Sequence, residues 1–196
     1  MIKFAAARHP DGVQAVARET IEPPWVDPAL RFRAMVDLHF GFIWRSLRGL
    51  GLPGVDADDA AQQVFLIALN KLAVITPGSE RAFLFGTALG VAANARRGLA
   101  RRREVFDDDA IAARRDETPD SEEQLGRKQA RARLDAILEA MPLDLRTVFV
   151  LFELESLTMA EIAAMLDLAP GTVASRLRRA REDFRARAAG AKGGAT

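Results

Sequence analysis

Side chains of the types that can bind nucleic acid recur at helical spacing towards the C-terminal end of the sequence. Hydroxyl and guanidinium groups stand together in the segment GTVASRLRRARE, which begins at Gly171. Arginine donates paired hydrogen bonds to a guanine edge, and hydroxyls bond phosphates or bases. On one face of a helix these groups would form a surface that fits the major groove of DNA. The candidate DNA-binding residues of this segment are Thr172, Ser175, Arg176, Arg178 and Arg179.

The apolar residues of the same segment predict the helix that would present this surface. Val173, Leu177, Ala180 and Phe184 recur at i, i+4, i+7 and i+11, which places them on one narrow face of a helix. Hydroxyl and guanidinium side chains then point away from that buried face.

A shorter helix is predicted just before it. Thr158 is a favourable N-cap, and Glu161 three residues later completes a capping box. Pro170 fits the first turn of the next helix, where its missing N–H costs little. Two short helices joined by such a turn predict a helix-turn-helix whose second helix reads DNA. The alternative is a structural helical hairpin with a solvated arginine face.

A second cationic helix is predicted from Arg81 to Glu104. Its apolar stripe would consist of Leu84, Ala88, Val91 and Ala95. An amide side chain can pair with adenine, and arginines anchor phosphates. The candidate DNA-binding residues on the opposite face are Gly90, Asn94, Arg97 and Arg101.

The net charge of +1 hides a strong segregation of charge along the chain. Two arginine-rich blocks, 81–104 and 176–187, flank an acidic stretch at 105–126. Such segregation favours contact with a polyanion at two places. With no cysteine and only two histidines, a disulfide framework and a zinc site are not expected. We also find no group of side chains that predicts a catalytic site, a cofactor or a small-molecule substrate.

The periodicity predicts an all-α protein with two small helical domains joined by a flexible acidic linker. A helical bundle is expected at 28–104, after an irregular N-terminal extension at 1–27 with three prolines near its end. The acidic linker would cover 105–121, the helix-turn-helix domain 122–187, and a disordered tail 188–196. No apolar run is long enough for a membrane span or a leader, so a soluble, cytoplasmic protein is expected.

Both domains resemble the extracytoplasmic-function (ECF) sigma factors of bacteria. DADDAAQQVFLIAL and RAFLFGTALGVAANARRGLARRRE resemble the family's polymerase-binding and promoter-melting segments. MPLDLRTVFVLFELESLTMAEIAAMLDLAPGTVASRLRRARE resembles its −35-reading domain. The resemblance implies a sigma factor that gives core RNA polymerase its promoter choice, with 28–104 acting as region 2 and 122–187 as region 4.

The resemblance also implies roles for particular residues. The face at Gly90 to Arg101 would read and open the −10 element, and the helix after Pro170 would read the −35 element. A base lifted from the stack would be held by the loop Ile75–Glu80. The residues expected to dock on the polymerase clamp helices are Asp58, Asp59, Gln62, Gln63 and Leu66.

Further partners follow from the same resemblance. The second domain would contact the polymerase flap, and an anti-sigma factor would hold the protein inactive. We also hypothesise that the acidic linker lies in the RNA-exit path and mimics nucleic acid through Asp107–Asp109 and Asp116–Glu117.

Two other classes of function remain open at this point. A stand-alone helix-turn-helix regulator would use the C-terminal domain but leave the Asp56–Leu69 segment without a role. A helical adaptor with no DNA role would need the arginines only as solvated faces. The segment GLGLPG at Gly49–Gly54 matches a dinucleotide-binding pattern, but a helix precedes it, so a helix–helix loop is expected.

Overall fold

The computed structural model describes the backbone of residues 27–105 and 122–193, and the side chains of residues 27–98 and 126–190. The predictions for the N-terminal extension, for most of the acidic linker and for the last three residues lie outside this range. Below, residues 27–105 are called the first half and residues 122–193 the second half.

The described residues form helices joined by short loops and contain no β-strand, which confirms the all-α prediction. The first half consists of α1 (Pro28–Gly49), α2 (Gly54–Asn70), a 3₁₀ turn (Leu72–Val74) and α3 (Glu80–Val105). The second half consists of α4 (Glu122–Ala140), α5 (Leu143–Phe149) with a π-helical continuation (Val150–Leu154), α6 (Met159–Leu166) and α7 (Pro170–Gly193). Helix α7 therefore continues beyond residue 187, where the sequence suggested that the tail begins.

Helix starts follow from local side chains. The Asp27 carboxylate accepts a hydrogen bond from the Ala29 N–H at 3.0 Å, and Pro28 occupies the first turn of α1. The acidic run Asp56–Asp59 predicts a helix start at that point, but α2 begins slightly earlier, at Gly54, directly after Pro53. In α6 the predicted capping box between Thr158 and Glu161 is present in both directions.

The first half packs α1, α2 and α3 around an apolar core. Each helix contributes one face. The periodicity predicts Val64, Phe65, Ala68 and Leu72 as the inner stripe of the second helix, and all four are buried. Three alanines nearer the start of α2 are also buried: Ala57, Ala60 and Ala61. The main buried side chains are Met35, Phe42, Ile43, Leu47, Val64, Phe65, Ala68, Leu72, Leu84, Phe85, Ala88 and Val91.

The sequence predicts one apolar stripe on α1, through Phe32, Val36, Phe40 and Ile43 or Trp44. Ile43 is buried, but the stripe needs correction at Phe40. Phe40 is 41% exposed, and its ring stacks on Phe65 at a centroid distance of 6.0 Å. The buried face of α1 instead passes through Met35, Phe42 and Leu47. Helix α1 contacts α2 and α3 on one side and the second half on another, so a single stripe does not describe it.

The second half has a small core of its own, and its predicted stripe on α7 is confirmed. Val173, Leu177 and Ala180 are buried. Phe184 is partly buried and stacks on Phe149 with 4.7 Å between ring centroids. These contacts hold α7 against α5, which fixes the orientation of the opposite, exposed face.

The two halves are packed against each other. Side chains of the second half complete the apolar core of the first, and α6 lies against α3. The second-half members of this shared core are Val148, Leu151, Leu157, Ile162, Ala163, Val173 and Leu177. The two predicted helical bodies therefore share an interface, which their separate periodicities did not indicate.

Candidate nucleic-acid interfaces

Helices α6 and α7 form a helix-turn-helix. Asp167 ends α6 in the left-handed conformation at φ 51°, and the Leu168 N–H then bonds the Ala163 carbonyl at 2.9 Å. Pro170 starts α7 immediately afterwards. Hydrogen bonds from the Thr158 side chain and backbone lower the pKa of the Glu161 carboxyl, because they favour its carboxylate form. The turn between the two helices therefore spans only Asp167 to Ala169.

The predicted DNA-binding residues of α7 lie opposite its buried stripe. Ser175, Arg178 and Arg179 are exposed, whereas Thr172 and Arg176 are half-buried at one edge of this face. The structure thus brings the five side chains to one surface of the helix. We call this surface the α7 face.

The arginines of the α7 face differ in what they already bind. Arg178 pairs with Glu182 one turn further along at 2.8 Å, and Arg176 approaches the Asp144 carboxylate at 3.8 Å. Arg179 makes no hydrogen bond or ion pair with the described part of the chain. Arg179 is therefore the guanidinium of the α7 face that can bind DNA without giving up an internal partner.

A shallow groove of about 300 Å³ runs along α7 beside this face. Arg178, Arg181 and Arg185 line it together with Met159 of α6. Arg181 also bonds Glu153 at 2.7 Å, so it is anchored to the π-helical continuation of α5. Arg185 was not among the predicted DNA-binding residues, although its spacing of i+7 from Arg178 places it on the same side of the helix.

On α3 the predicted stripe is largely confirmed. Leu84, Ala88 and Val91 are buried, while Ala95 is partly buried. This orientation of the helix leaves its other face in solvent.

That exposed surface of α3 carries the second set of candidates. Gly90, Asn94 and Arg97 are exposed, and Arg97 donates a hydrogen bond to the Asn94 amide oxygen. The Asn94 amide N–H groups donate to no other described residue and can therefore bond a base edge. Arg101 lies on the same helix, but its side chain is outside the described residues. We call the described part of this surface the α3 face.

The loop between the 3₁₀ turn and α3 is clamped by Arg31 of α1. Its guanidinium donates to the carbonyls of Leu72 at 3.1 Å and Ile75 at 2.5 Å, and to the Glu80 carboxylate at 3.2 Å. Glu80 also accepts the N–H of Gly78 at 2.6 Å. The loop that was expected to hold a base is therefore fixed at both ends, and sequence reasoning did not identify the arginine that fixes it.

The residues expected to dock on polymerase form one exposed surface of α2. Trp44 of α1 donates its indole N–H to the Asp58 carboxylate at 2.7 Å and so orients it. Leu66 is 59% exposed, and the neighbouring Leu69 is 45% exposed. The five predicted residues, all exposed, are Asp58, Asp59, Gln62, Gln63 and Leu66.

Other candidate sites are not supported. The Gly49–Gly54 segment is a helix–helix loop, as predicted, with Gly51 at φ 94°.

Burial and the charge of Arg81 lower the pKa of His39. Among the described residues there is no cluster of side chains that could hold a metal ion. The described helices also include none with the length and hydropathy needed to cross a bilayer.

Comparison with known proteins points in one direction. The family model "Sigma-70, region 4" matches residues 131–184, which include the helix-turn-helix. The ECF RNA polymerase sigma-E factor of Escherichia coli K12 is 32% identical over 139 residues, covering 67% of this chain and 73% of that protein. The ECF RNA polymerase sigma factor SigE of Mycolicibacterium smegmatis is 32% identical over 133 residues, covering 66% of this chain and 51% of that protein.

Solved structures agree in fold. CnrH, in complex with the cytosolic domain of CnrY, matches with a TM-score of 0.59 and 25% identity, covering 79% of this chain and 85% of that one. The sigma factor RpoE of Bartonella quintana, in complex with the anti-sigma factor NepR, matches with a TM-score of 0.58 and 19% identity over 80% of this chain and 96% of that one.

Proposed function

This chain belongs to the ECF family of RNA polymerase sigma factors, and from that membership we propose which of its surfaces performs each step of promoter recognition. The second half reads the −35 element, and the first half docks on core polymerase, reads the −10 element and opens it. The observation that carries this assignment is the α7 face, an exposed surface of hydroxyls and arginines on the second helix of a capped helix-turn-helix.

The α7 face suits the major groove because its polar side chains project from a helix whose other side is buried. The exposed Arg179 can donate two hydrogen bonds to a guanine. The exposed Ser175 hydroxyl donates to the Thr172 carbonyl at 2.9 Å and would turn from it to bind a phosphate. Thr172, Arg176 and Arg178 extend the contact at the edges of the same face.

The α3 face suits single-stranded or opening DNA. Asn94 offers amide N–H groups to a base edge, and Arg97, already bonded to Asn94, can reach a phosphate. Gly90 leaves room for the DNA backbone, and Arg101 would continue the basic surface along the helix. The neighbouring loop Ile75–Glu80, clamped by Arg31, would hold a flipped base.

The exposed surface of α2 would bind the polymerase clamp helices, and the second half would contact the flap. An apolar centre at Leu66 and Leu69 within a rim of Asp and Gln is typical of an exchangeable protein interface. A stand-alone DNA-binding regulator would leave this surface without a role. RpoE and CnrH were solved with NepR and with CnrY, and a comparable anti-sigma partner is proposed for this chain.

The remaining assignments follow from the same proposal. The protein is a non-catalytic initiation subunit, needs no cofactor, and acts in the cytoplasm where RNA polymerase meets DNA. The acidic segment 105–121 would enter the RNA-exit path, and neutralising Asp107–Asp109 and Asp116–Glu117 should then alter abortive initiation.

Run-off transcription with core polymerase tests the proposal. Start sites mapped after overexpression supply the promoter, and the chain should confer initiation at that promoter in vitro. The double variant Asn94→Ala/Arg97→Ala should lose initiation on duplex DNA and retain polymerase binding. Arg33→Ala is the matched control because Arg33 is an exposed arginine of the same half, away from the α3 face.

Each alternative gives a different result. A stand-alone regulator would bind DNA without conferring initiation on core polymerase, and an adaptor would bind no DNA. Association with polymerase but no defined start site would overturn the proposed function.

A further inference from the structure

We propose that Arg31 is a positioning residue for base capture: it holds the loop Ile75–Glu80 in the shape that receives a flipped base, without binding DNA itself. The proposal rests on the proposed function, which assigns the base to this loop. Arg31 lies on α1, more than forty residues before the loop, and belongs to neither the α3 face nor the α7 face.

The tip of the loop is a tight turn that its own sequence favours. The Ser79 N–H donates to the Thr76 carbonyl at 3.0 Å, and the Ser79 hydroxyl donates to the same oxygen at 2.6 Å. Between these two residues stand Pro77 and then Gly78, which lies at φ 89°. A proline followed by a glycine with positive φ is typical of a type II turn. Local bonds therefore shape the tip, whereas its position relative to α1 depends on other parts of the chain.

Arg31 supplies contacts on both sides of this turn. Its guanidinium donates to the carbonyls of Leu72 at 3.1 Å and Ile75 at 2.5 Å, before the tip, and to the Glu80 carboxylate at 3.2 Å, after it. The other carboxylate oxygen of Glu80 accepts the Gly78 N–H at 2.6 Å. One guanidinium and one carboxylate thus connect α1 to both ends of the loop and to its tip. A planar guanidinium suits this role because its donors point in fixed directions.

These bonds are partly shielded from water, so the shape of the loop depends on them. The side chains of Arg31 and Glu80 are 24% and 17% exposed. Without Arg31, two partly buried carbonyls would lose a donor, and the loop would have to move before water could replace it. The loop would then adopt several shapes, and only a fraction of the molecules would be ready to receive a base.

The same contacts argue that Arg31 does not bind DNA. Its guanidinium already bonds three acceptors, and the Glu80 carboxylate neutralises its charge. A phosphate would have to displace that carboxylate. Loss of an arginine that contacts a phosphate reduces the salt slope of DNA binding by about 1, whereas loss of a positioning arginine should leave the slope unchanged.

The first test measures promoter opening by the full chain with core polymerase on the mapped promoter. A fluorescent base analogue in the −10 element reports unstacking of the strand. Arg31→Ala should reduce open complexes about tenfold if about a tenth of the loops keep the competent shape. Arg33→Ala is the matched control and should leave opening unchanged, because Arg33 lies on the same helix but pairs with the exposed Asp37.

A second test removes the base instead of the arginine. An abasic site is placed at each position of the −10 element in turn, on the strand that supplies the flipped base. At the position of the captured base the loop has nothing to hold, so the wild-type chain and Arg31→Ala should open that promoter equally. The tenfold difference should remain at the other positions. A general loss of structure would instead lower opening by the same factor on every template.

A glycine variant tests the loop without touching Arg31. A Cβ atom on Gly78 would meet no atom within 4 Å, so Gly78→Ala perturbs only the backbone, whose positive φ disfavours alanine. This variant should show the same dependence on the captured base as Arg31→Ala. If circular dichroism shows that Arg31→Ala does not fold, the result for Gly78→Ala decides.

Three results would overturn the inference. Arg31→Ala could open the promoter as well as the wild-type chain, lose the same factor on every abasic template, or bind DNA with a reduced salt slope. A wild-type chain that binds core polymerase but opens no promoter would give a different pattern, because the proposed function itself would then fail and the inference with it.

Discussion

Removing Arg179 should weaken promoter binding more than removing any other single arginine of the α7 face. Arg179 is exposed and has no internal partner among the described residues, so all of its hydrogen-bonding capacity is available to DNA. Arg178 is already paired with Glu182 at 2.8 Å. Losing a bidentate arginine–guanine contact costs about 1–3 kcal/mol. For Arg179→Ala this corresponds to about 5- to 150-fold weaker binding.

For Arg178→Ala the loss should be smaller. An exposed pair four residues apart on a helix is worth about 0.3–0.5 kcal/mol, and Arg178 gives that up when it turns to DNA. Glu182→Gln removes this competition and should therefore strengthen promoter binding about twofold.

The assay is binding of fluorescent promoter DNA by the complex of this chain with core polymerase, over a series of salt concentrations. Arg133→Ala is the matched control, since Arg133 is an exposed arginine of α4 outside the α7 face. If Arg179 bonds only a phosphate, its removal should weaken binding to every sequence equally and reduce the salt slope by about 1. Equal losses for Arg179→Ala and Arg133→Ala would refute the reasoning, because charge alone would then explain both.

Three further predictions concern stability. Thr158→Ala removes the α6 cap and should lower the free energy of unfolding by about 1 kcal/mol in urea titrations, whereas Thr158→Ser should keep it. Ser156 lies at φ 55°, so Ser156→Gly should raise the free energy of unfolding by about 0.5–1 kcal/mol, with no gain for Ser156→Ala. Burial raises the pKa of Glu80, but hydrogen bonds from the backbone and Arg31 outweigh it and leave that pKa below 4.5. The stability contributed by Glu80 is therefore complete above pH 4.5 and is lost as the pH falls through the folded pKa. Glu80→Gln removes the titrating carboxyl, so acid denaturation of this variant, monitored by circular dichroism, should show a smaller loss of stability over that pH interval.

Much of the fold was predictable because its helices carry local signals. The capping box at Thr158, the proline at 170 and the stripe through Val173 and Leu177 are each confirmed in the structure. These features lie within a few residues of one another, where backbone geometry and side-chain spacing alone decide the outcome. The exposure of the α7 face follows directly from them.

The other features of the fold depend on contacts between residues that are far apart in the sequence, and the local spacing of side chains does not predict such contacts. Phe40 fits the period of α1 but lies at its edge, because α1 is buried on two sides rather than one. From the sequence, Arg146 cannot be distinguished from the other arginines on helices, although it is completely buried and bonds the Leu50 carbonyl. The clamp formed by Arg31 joins residues more than forty positions apart.

The number of arginines in the sequence does not tell which of them stabilise the fold and which are available to bind DNA. Three arginines bond residues across the interface between the two halves: Arg45, Arg48 and Arg146. Arg179 instead faces solvent without a partner among the described residues. In sequence these residues are equivalent, and all of them contribute to the same net charge. Only the position of their partners distinguishes them, since a guanidinium that is bonded internally must lose that bond before it can bind a phosphate.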